Sequence, residues 1–143
     1  APSIVAFAAA VEAKLYDATK VAALRDSFEA GVLASRPDAV VNGKNAPRLP
    51  GISNITFPGT QSDSLLLLMD SQKVSCSTGA ACTAGVHRPS HVLMAMGLTD
   101  VVSQSSLRFS FGTTNTQADV AYALSVLPEV IERGLAANAV GRK

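Results

Sequence analysis

The chain has 143 residues, 48% hydrophobic and 16% charged, and its 12 basic against 11 acidic residues leave a formal charge of +1. Domains run to roughly 100–200 residues, so the length predicts one domain with a core that needs no disulfide or metal staple. The composition excludes a disordered chain, and the balanced charge argues against a broad nucleic-acid footprint or a polybasic membrane anchor.

The sequence opens at Ala1 with no initiator Met, which predicts processing or a piece of something longer. Ser3 is a candidate N-cap, and Ile4, Phe7, Ala8, Val11 and Leu15 recur at helical spacing. Val21, Leu24, Phe28 and Val32 continue the period, so one long helix is predicted, bent near Asp17-Ala18-Thr19 and ending before Arg36-Pro37. A helix that long commonly links two domains. Val40-Val41 is a short strand before the Asn42-Gly43 turn, and Ile52 to Phe57 is a second strand ended by Pro58-Gly59. Ser62 or Asp63 caps a helix through Leu65 to Ser71, and Lys73 to Cys76 reads as a third strand. Ser77 to Pro89 is a long loop of small residues without periodicity. A helix follows from Pro89-Ser90, with Val92, Leu93 and Met96 inward and Gly97 as its stop. Leu107 to Phe111 is the last strand, with Leu107, Phe109 and Phe111 on one face and Arg108 and Ser110 on the other. Thr116 and Asp119 form a capping box for a terminal helix whose Val120, Leu124, Leu127, Val130 and Ile131 face the core. Pro128 should kink that helix, and Ala136 to Lys143 reads as a frayed tail. The order predicts a small α+β layer pair.

Five Phe, two Tyr and no Trp predict a core of mainly Ala, Val, Leu and Ile. Two cysteines are too few for the disulfide framework of a small secreted domain. The apolar segment Ile4 to Val11 lacks a basic region ahead of it and runs into Glu12 and Lys14, unlike a signal peptide. Leu65 to Met69 falls far short of the roughly 20 residues of a membrane span. A soluble, cytoplasmic protein is predicted.

Cys82 lies in Ser77-Thr78-Gly79-Ala80-Ala81-Cys82-Thr83-Ala84-Gly85. Structural cysteines are mostly buried in regular elements, whereas these neighbours are too small to bury a thiol. A swinging nucleophile and a passive loop cysteine both fit. Cys76, at the end of an apolar strand, reads as a silent core cysteine. A Cys76–Cys82 disulfide would not have the C-x-x-C spacing of redox enzymes, and the two Cys and two His fit no common zinc spacing. Arg108 either forks a carboxylate or is a solvated or ion-paired surface arginine. His91, in the first turn of a helix, reads as a packed or capping residue, and for His87, in the loop beside Arg88, assistance to the thiol is the minor reading.

Ser77-Thr78-Gly79-Ala80-Ala81-Cys82-Thr83 with Pro89-Ser90-His91-Val92-Leu93-Met94-Ala95-Met96-Gly97 resembles the catalytic-cysteine loop and following helix of the NifS/IscS-like cysteine desulfurases. Ser106-Leu107-Arg108-Phe109-Ser110-Phe111-Gly112 resembles their Ser-x-Arg-x-Ser-x-Gly strand. Thr113-Thr114 with Thr116 to Asp119, Ile4 to Phe7, and Asn54 to Phe57 extend the likeness over nearly the whole chain. The resemblance implies a fold-type I pyridoxal-phosphate enzyme of the class-V aminotransferase kind, which converts L-cysteine to L-alanine and leaves a persulfide on the enzyme. It implies that Cys82 is the persulfide carrier and Arg108 the anchor of the substrate carboxylate. The long loop implies transfer to an iron–sulfur scaffold or another sulfur acceptor, and the resemblance further implies a transient iron–sulfur cluster contact at Cys82 and a homodimer. Ala80 departs from a common serine, and His87-Arg88 from a usually acidic or polar stretch. The family's Schiff-base lysine follows a histidine, and none of Lys14, Lys20, Lys44, Lys73 and Lys143 does. The expectation is residues 1–36 as a connecting helix and 37–143 as the C-terminal small domain, with the large cofactor-binding domain absent and this chain inactive alone. A selenocysteine lyase-like fragment, a cofactor-free thiol or sulfur carrier, and a non-catalytic interaction domain are the alternatives.

Overall fold

Period-two alternation in two segments builds the centre of the molecule. A computed structural model describes residues 1–13, 16–78 and 89–140. Strands β1 (Val40–Val41), β2 (Ile52–Thr56) and β3 (Ser106–Ser110) form one antiparallel sheet in that order. The register pairs Val41 with Ile55, Ile55 with Leu107, and Asn54 with Arg108. Ile55, Leu107 and Phe109 are thereby sent to one face and buried, while Asn54, Thr56, Ser106, Arg108 and Ser110 occupy the other.

Helices cover the apolar face. Helix α2 (Ala18–Ser35) lays Val21, Leu24, Phe28 and Val32 on it at helical spacing. Helix α3 (Ser62–Ser71) contributes Leu65 and Met69, and the last helix, Gln117–Val140, contributes Val120, Leu127, Val130 and Ile131. Leu124 is half-buried against the same cluster. The Phe28 ring lies 4.8 Å from that of Phe109 and 5.6 Å from that of Phe111, centroid to centroid, in tilted geometry. A buried ion pair joins helix to sheet. Arg48 donates to both carboxylate oxygens of Glu29, at 2.7 and 3.1 Å, and the Ser53 hydroxyl donates to the same carboxylate at 2.7 Å. The hydrogen bond to Glu29 raises the Arg48 guanidinium above its ordinary value, against an opposing effect of burial.

Several elements differ from the sequence expectation. The single long N-terminal helix is two: α1 (Pro2–Glu12), with Pro2 in its first turn and no buried side chain, and α2. Asp17 is extended, and its carboxylate accepts from the Lys20 N–H at 3.0 Å, so it starts a new helix where the period alone continued the old one. Helix α3 begins after Gln61 without a side-chain cap. The predicted strand Lys73 to Cys76 does not form. Lys73 has φ 60. Its N–H reaches the Asp70 carbonyl at 2.8 Å, and the Val74 N–H reaches that of Met69 at 3.0 Å. That is a Schellman closure of α3, with lysine where glycine is usual.

Helix α4 (His91–Ala95) is capped by Ser90, and Gly97 follows it at φ 90. Of its three expected inward residues only Leu93 is buried; Val92 and Met96 are exposed. A short helix α5 (Asp100–Ser103), capped by Thr99, was not expected. The capping box of the last helix, α6 (Gln117–Val140), forms through Thr116 and Asp119. This helix passes through Pro128 and stays helical from Ala136 to Val140, where fraying was expected. Leu135 packs on the core there, and the Asn138 side chain donates to the Gly59 carbonyl at 2.7 Å.

Candidate functional site

The face of the sheet opposite the core carries a row of polar side chains. Asn42 donates its backbone N–H to the Asn54 carbonyl at 2.8 Å, Asn54 stands opposite Arg108, and Arg108 pairs on its far side with Ser77. The Ser77–Arg108 bridge has both backbone bonds, Ser77 N–H to Arg108 carbonyl at 3.0 Å and the reverse at 2.7 Å. The first residue of the Ser77 to Pro89 loop is thus fixed beside the arginine. At the loop's other end Ser90 is buried, its N–H held by the Ser103 hydroxyl at 3.1 Å.

Arg108 is exposed between buried Leu107 and Phe109, as the alternation predicts. Among the described residues its guanidinium has no side-chain acceptor, so it is open to an anion, and its fork suits a carboxylate. Cys82, the expected sulfur carrier, and His87 lie outside the described residues. Cys76 is half-buried against the core cluster, and burial, assisted by Asp70, pushes its thiol up to about 11. A thiol held there is a poor nucleophile at neutral pH, in keeping with the silent reading. His91 is exposed rather than packed, because Ser90 does the capping. Sequence reasoning singled out Arg108 but missed its neighbours Asn42 and Asn54. Alternation made Arg108 and Ser110 legible on one face of the last strand; Asn54 was read only as part of a strand and Asn42 only as a turn residue.

A cleft of about 300 Å³ lies beside Phe28, Phe109 and Phe111, with Lys73, Asp119 and Tyr122 also lining it. Among the described residues no cluster of three or more His, Cys, Asp or Glu could hold a metal ion. The described lysines are Lys20, Lys44 and Lys73, and none of them follows a histidine. The Lys20 amine donates to the Thr113 carbonyl at 2.8 Å, and Lys73 lines the cleft at the aromatic residues of the core face. No described helix is long and apolar enough to cross a membrane.

An α+β layer with a three-stranded antiparallel sheet, one face packed and the other polar around an open arginine, defines the class of domain. The comparisons agree with it. The aminotransferase class-V family model matches residues 3–122, and the chain belongs to that family. The IscS-like cysteine desulfurase of Mycobacterium tuberculosis (strain ATCC 25618 / H37Rv) is 46% identical over 125 residues, 87% of this chain and 32% of that protein. The cysteine desulfurase NifS of Azotobacter vinelandii is 35% identical over 135 residues, 92% of this chain and 34% of that one. The X-ray structure of a NifS-like protein from Rickettsia africae ESF-5 superposes with a TM-score of 0.70 at 27% identity, over 81% of this chain and 29% of its own. The chain therefore spans about a third of the length of the curated relatives it matches.

Proposed function

We infer that this chain is the sulfur-accepting part of a cysteine desulfurase, with Arg108 as the anchor for the L-cysteine carboxylate and Cys82 as the sulfur acceptor. The reading divides the chain into a connecting segment, 1–36, and a small domain, 37–143. The Cys82 thiol takes the substrate sulfur and becomes a persulfide, and L-alanine leaves. Pyridoxal phosphate supplies the electron sink that labilises the carbon–sulfur bond. On this reading it is held by a large domain outside this sequence. The persulfide passes to an iron–sulfur scaffold or another acceptor, with a transient cluster contact at Cys82. The complete enzyme is a cytoplasmic homodimer.

The observation that carries this reading is the Ser77–Arg108 bridge, which roots the cysteine segment on the arginine's own backbone. Cys82 lies five positions beyond Ser77 in the sequence, and five residue steps span at most about 18 Å. An acceptor on such a tether serves a substrate held at Arg108 and then delivers the sulfur elsewhere.

In the full-length enzyme, Cys82→Ser abolishes persulfide formation, read by mass spectrometry, while the cofactor still binds. Arg108→Lys raises the KM for L-cysteine, because a single ammonium does not replace the two-pronged fork. The chain alone, given pyridoxal phosphate and L-cysteine, releases no sulfide. Turnover by the chain alone, or persulfide on Cys76 in place of Cys82, refutes the assignment.

A further inference from the structure

One chain of hydrogen bonds on the polar face has a single consistent direction. The Val102 carbonyl only accepts, so the Ser106 hydroxyl donates to it at 3.1 Å. With its one proton committed, Ser106 accepts from the Thr56 hydroxyl at 2.7 Å. Thr56 then accepts from Asn42 Nδ2 at 2.9 Å, and the second proton of that nitrogen goes to Asn54 Oδ1 at 2.7 Å. Asn42, Thr56 and Ser106 are buried, so reversing any link would set two acceptors against each other out of water. The direction settles the Asn54 amide, which places its oxygen on Asn42 and its NH2 away from it.

Asn54 stands between Asn42 and Arg108. The Asn54 carbonyl is bonded toward β1 and Arg108 is bonded toward Ser77, so Asn54 and Arg108 are a non-hydrogen-bonded cross-strand pair, the kind whose side chains approach most closely. Among the described residues neither the Asn54 NH2 nor the Arg108 guanidinium has a side-chain acceptor. Two donor groups side by side, one of them held in orientation by a buried network, are completed by an anion with several lone pairs. We propose that Asn54 is a second binding residue for the carboxylate taken by Arg108, with Asn42 as its positioning residue. The proposal rests on the assignment of Arg108 as the carboxylate anchor.

The test uses the full-length enzyme. Asn54→Asp keeps an oxygen for Asn42 to donate to, so the buried chain survives, and replaces the NH2 by an anion. Asn54→Ala removes both groups without adding charge. Losing a hydrogen bond to a charged group raises the KM for L-cysteine roughly ten- to a hundred-fold, with kcat within about two-fold. Cysteamine, which is L-cysteine without its carboxylate, inhibits Asn54→Ala as well as it inhibits the unaltered enzyme. A cysteamine inhibition constant that rises by the same factor as KM marks a structural effect and overturns the proposal. If both Asn54 variants keep the KM within about two-fold while Arg108→Lys raises it, the proposal fails and the role of Arg108 stands. If Arg108→Lys also leaves the KM unchanged, both fall.

Discussion

Replacing Arg48 with methionine tests how much of the fold hangs on one buried carboxylate. The Glu29 side chain is 6% exposed and that of Arg48 17% exposed, and two N–O contacts of 2.7 and 3.1 Å join them. Methionine keeps an apolar stem of similar reach, so packing changes little. What remains for Glu29 is one hydrogen bond, from Ser53 at 2.7 Å. Breaking a buried pair from one side costs about 3–5 kcal/mol, because the other charge stays behind uncompensated. The surviving Ser53 bond and the partial exposure of Arg48 put the expected loss near the lower end, about 3 kcal/mol. A domain of this size has roughly 5–15 kcal/mol in all, so the loss is a large share. Urea unfolding should show the midpoint falling by roughly 1–2 M with the slope unchanged. Adding Glu29→Gln to Arg48→Met should recover most of the loss, since a neutral amide is far cheaper to bury than an unpaired carboxylate. A loss below about 1 kcal/mol in Arg48→Met would show that the pair counts no more than a surface one, and the reasoning would fail. So would a double variant no more stable than the single.

Gly51→Ala places a Cβ against the Phe111 carbonyl oxygen and 2.7 Å from a Val21 methyl. The Phe111 N–H also bonds the Gly51 carbonyl at 2.7 Å, so the backbone has nowhere to move, and the variant should lose roughly 1–3 kcal/mol in urea unfolding. Asp119→Asn weakens the start of α6 at neutral pH. The Thr116 backbone N–H, and after it the Thr116 hydroxyl, hold the Asp119 carboxyl below its ordinary 3.8. A carboxyl lowered by folding stabilises above its unfolded value and loses that contribution as pH falls through its folded value. The gap between this variant and the unaltered chain should therefore be full at pH 7 and close well below pH 3.8 in thermal unfolding. Cys76, with its thiol at about 11, should be about 0.1% thiolate at pH 8. Brief iodoacetamide treatment of the native protein should leave the Cys76 peptide unmodified in mass spectrometry and label it fully after unfolding.

Elements set by local chemistry were the legible ones. Alternation placed β2 and β3 and put Arg108 opposite Leu107 and Phe109, and Thr116 with Asp119 marked the start of α6. The misses have physical reasons. Asp17 restarts a helix that the apolar period carries straight through, because a cap outweighs a pattern that is equally good on both sides of it. Lys73 takes a left-handed conformation for which sequence signals point to glycine or asparagine, so the segment after it read as a strand. The Glu29–Arg48 pair spans 19 positions with no local signature. Asn54 could be read as a strand residue, but its meeting with Arg108 depends on a register fixed across more than fifty residues of chain.

That register ties the site to the core. A slip of one residue between β2 and β3 would move Asn54 away from Arg108, and it would also turn one strand's side chains over. Ile55, Phe57, Leu107 and Phe109 are all buried, and the pairings Ile55 with Leu107 and Ser53 with Phe109 place them on the core face together. Exposing two such side chains on one strand costs roughly 3–6 kcal/mol at 1.5–3 kcal/mol each. That is comparable to the whole stability of a small domain. The polar row therefore needs no attraction of its own to stay aligned: Arg108 and Asn54 stay opposite each other because the apolar residues flanking them along their strands hold the strands in place. If Arg108 is the carboxylate anchor proposed above, substitutions that weaken Leu107 or Ile55 should accordingly damage carboxylate binding before they unfold the domain, through loss of alignment at a face those residues never touch.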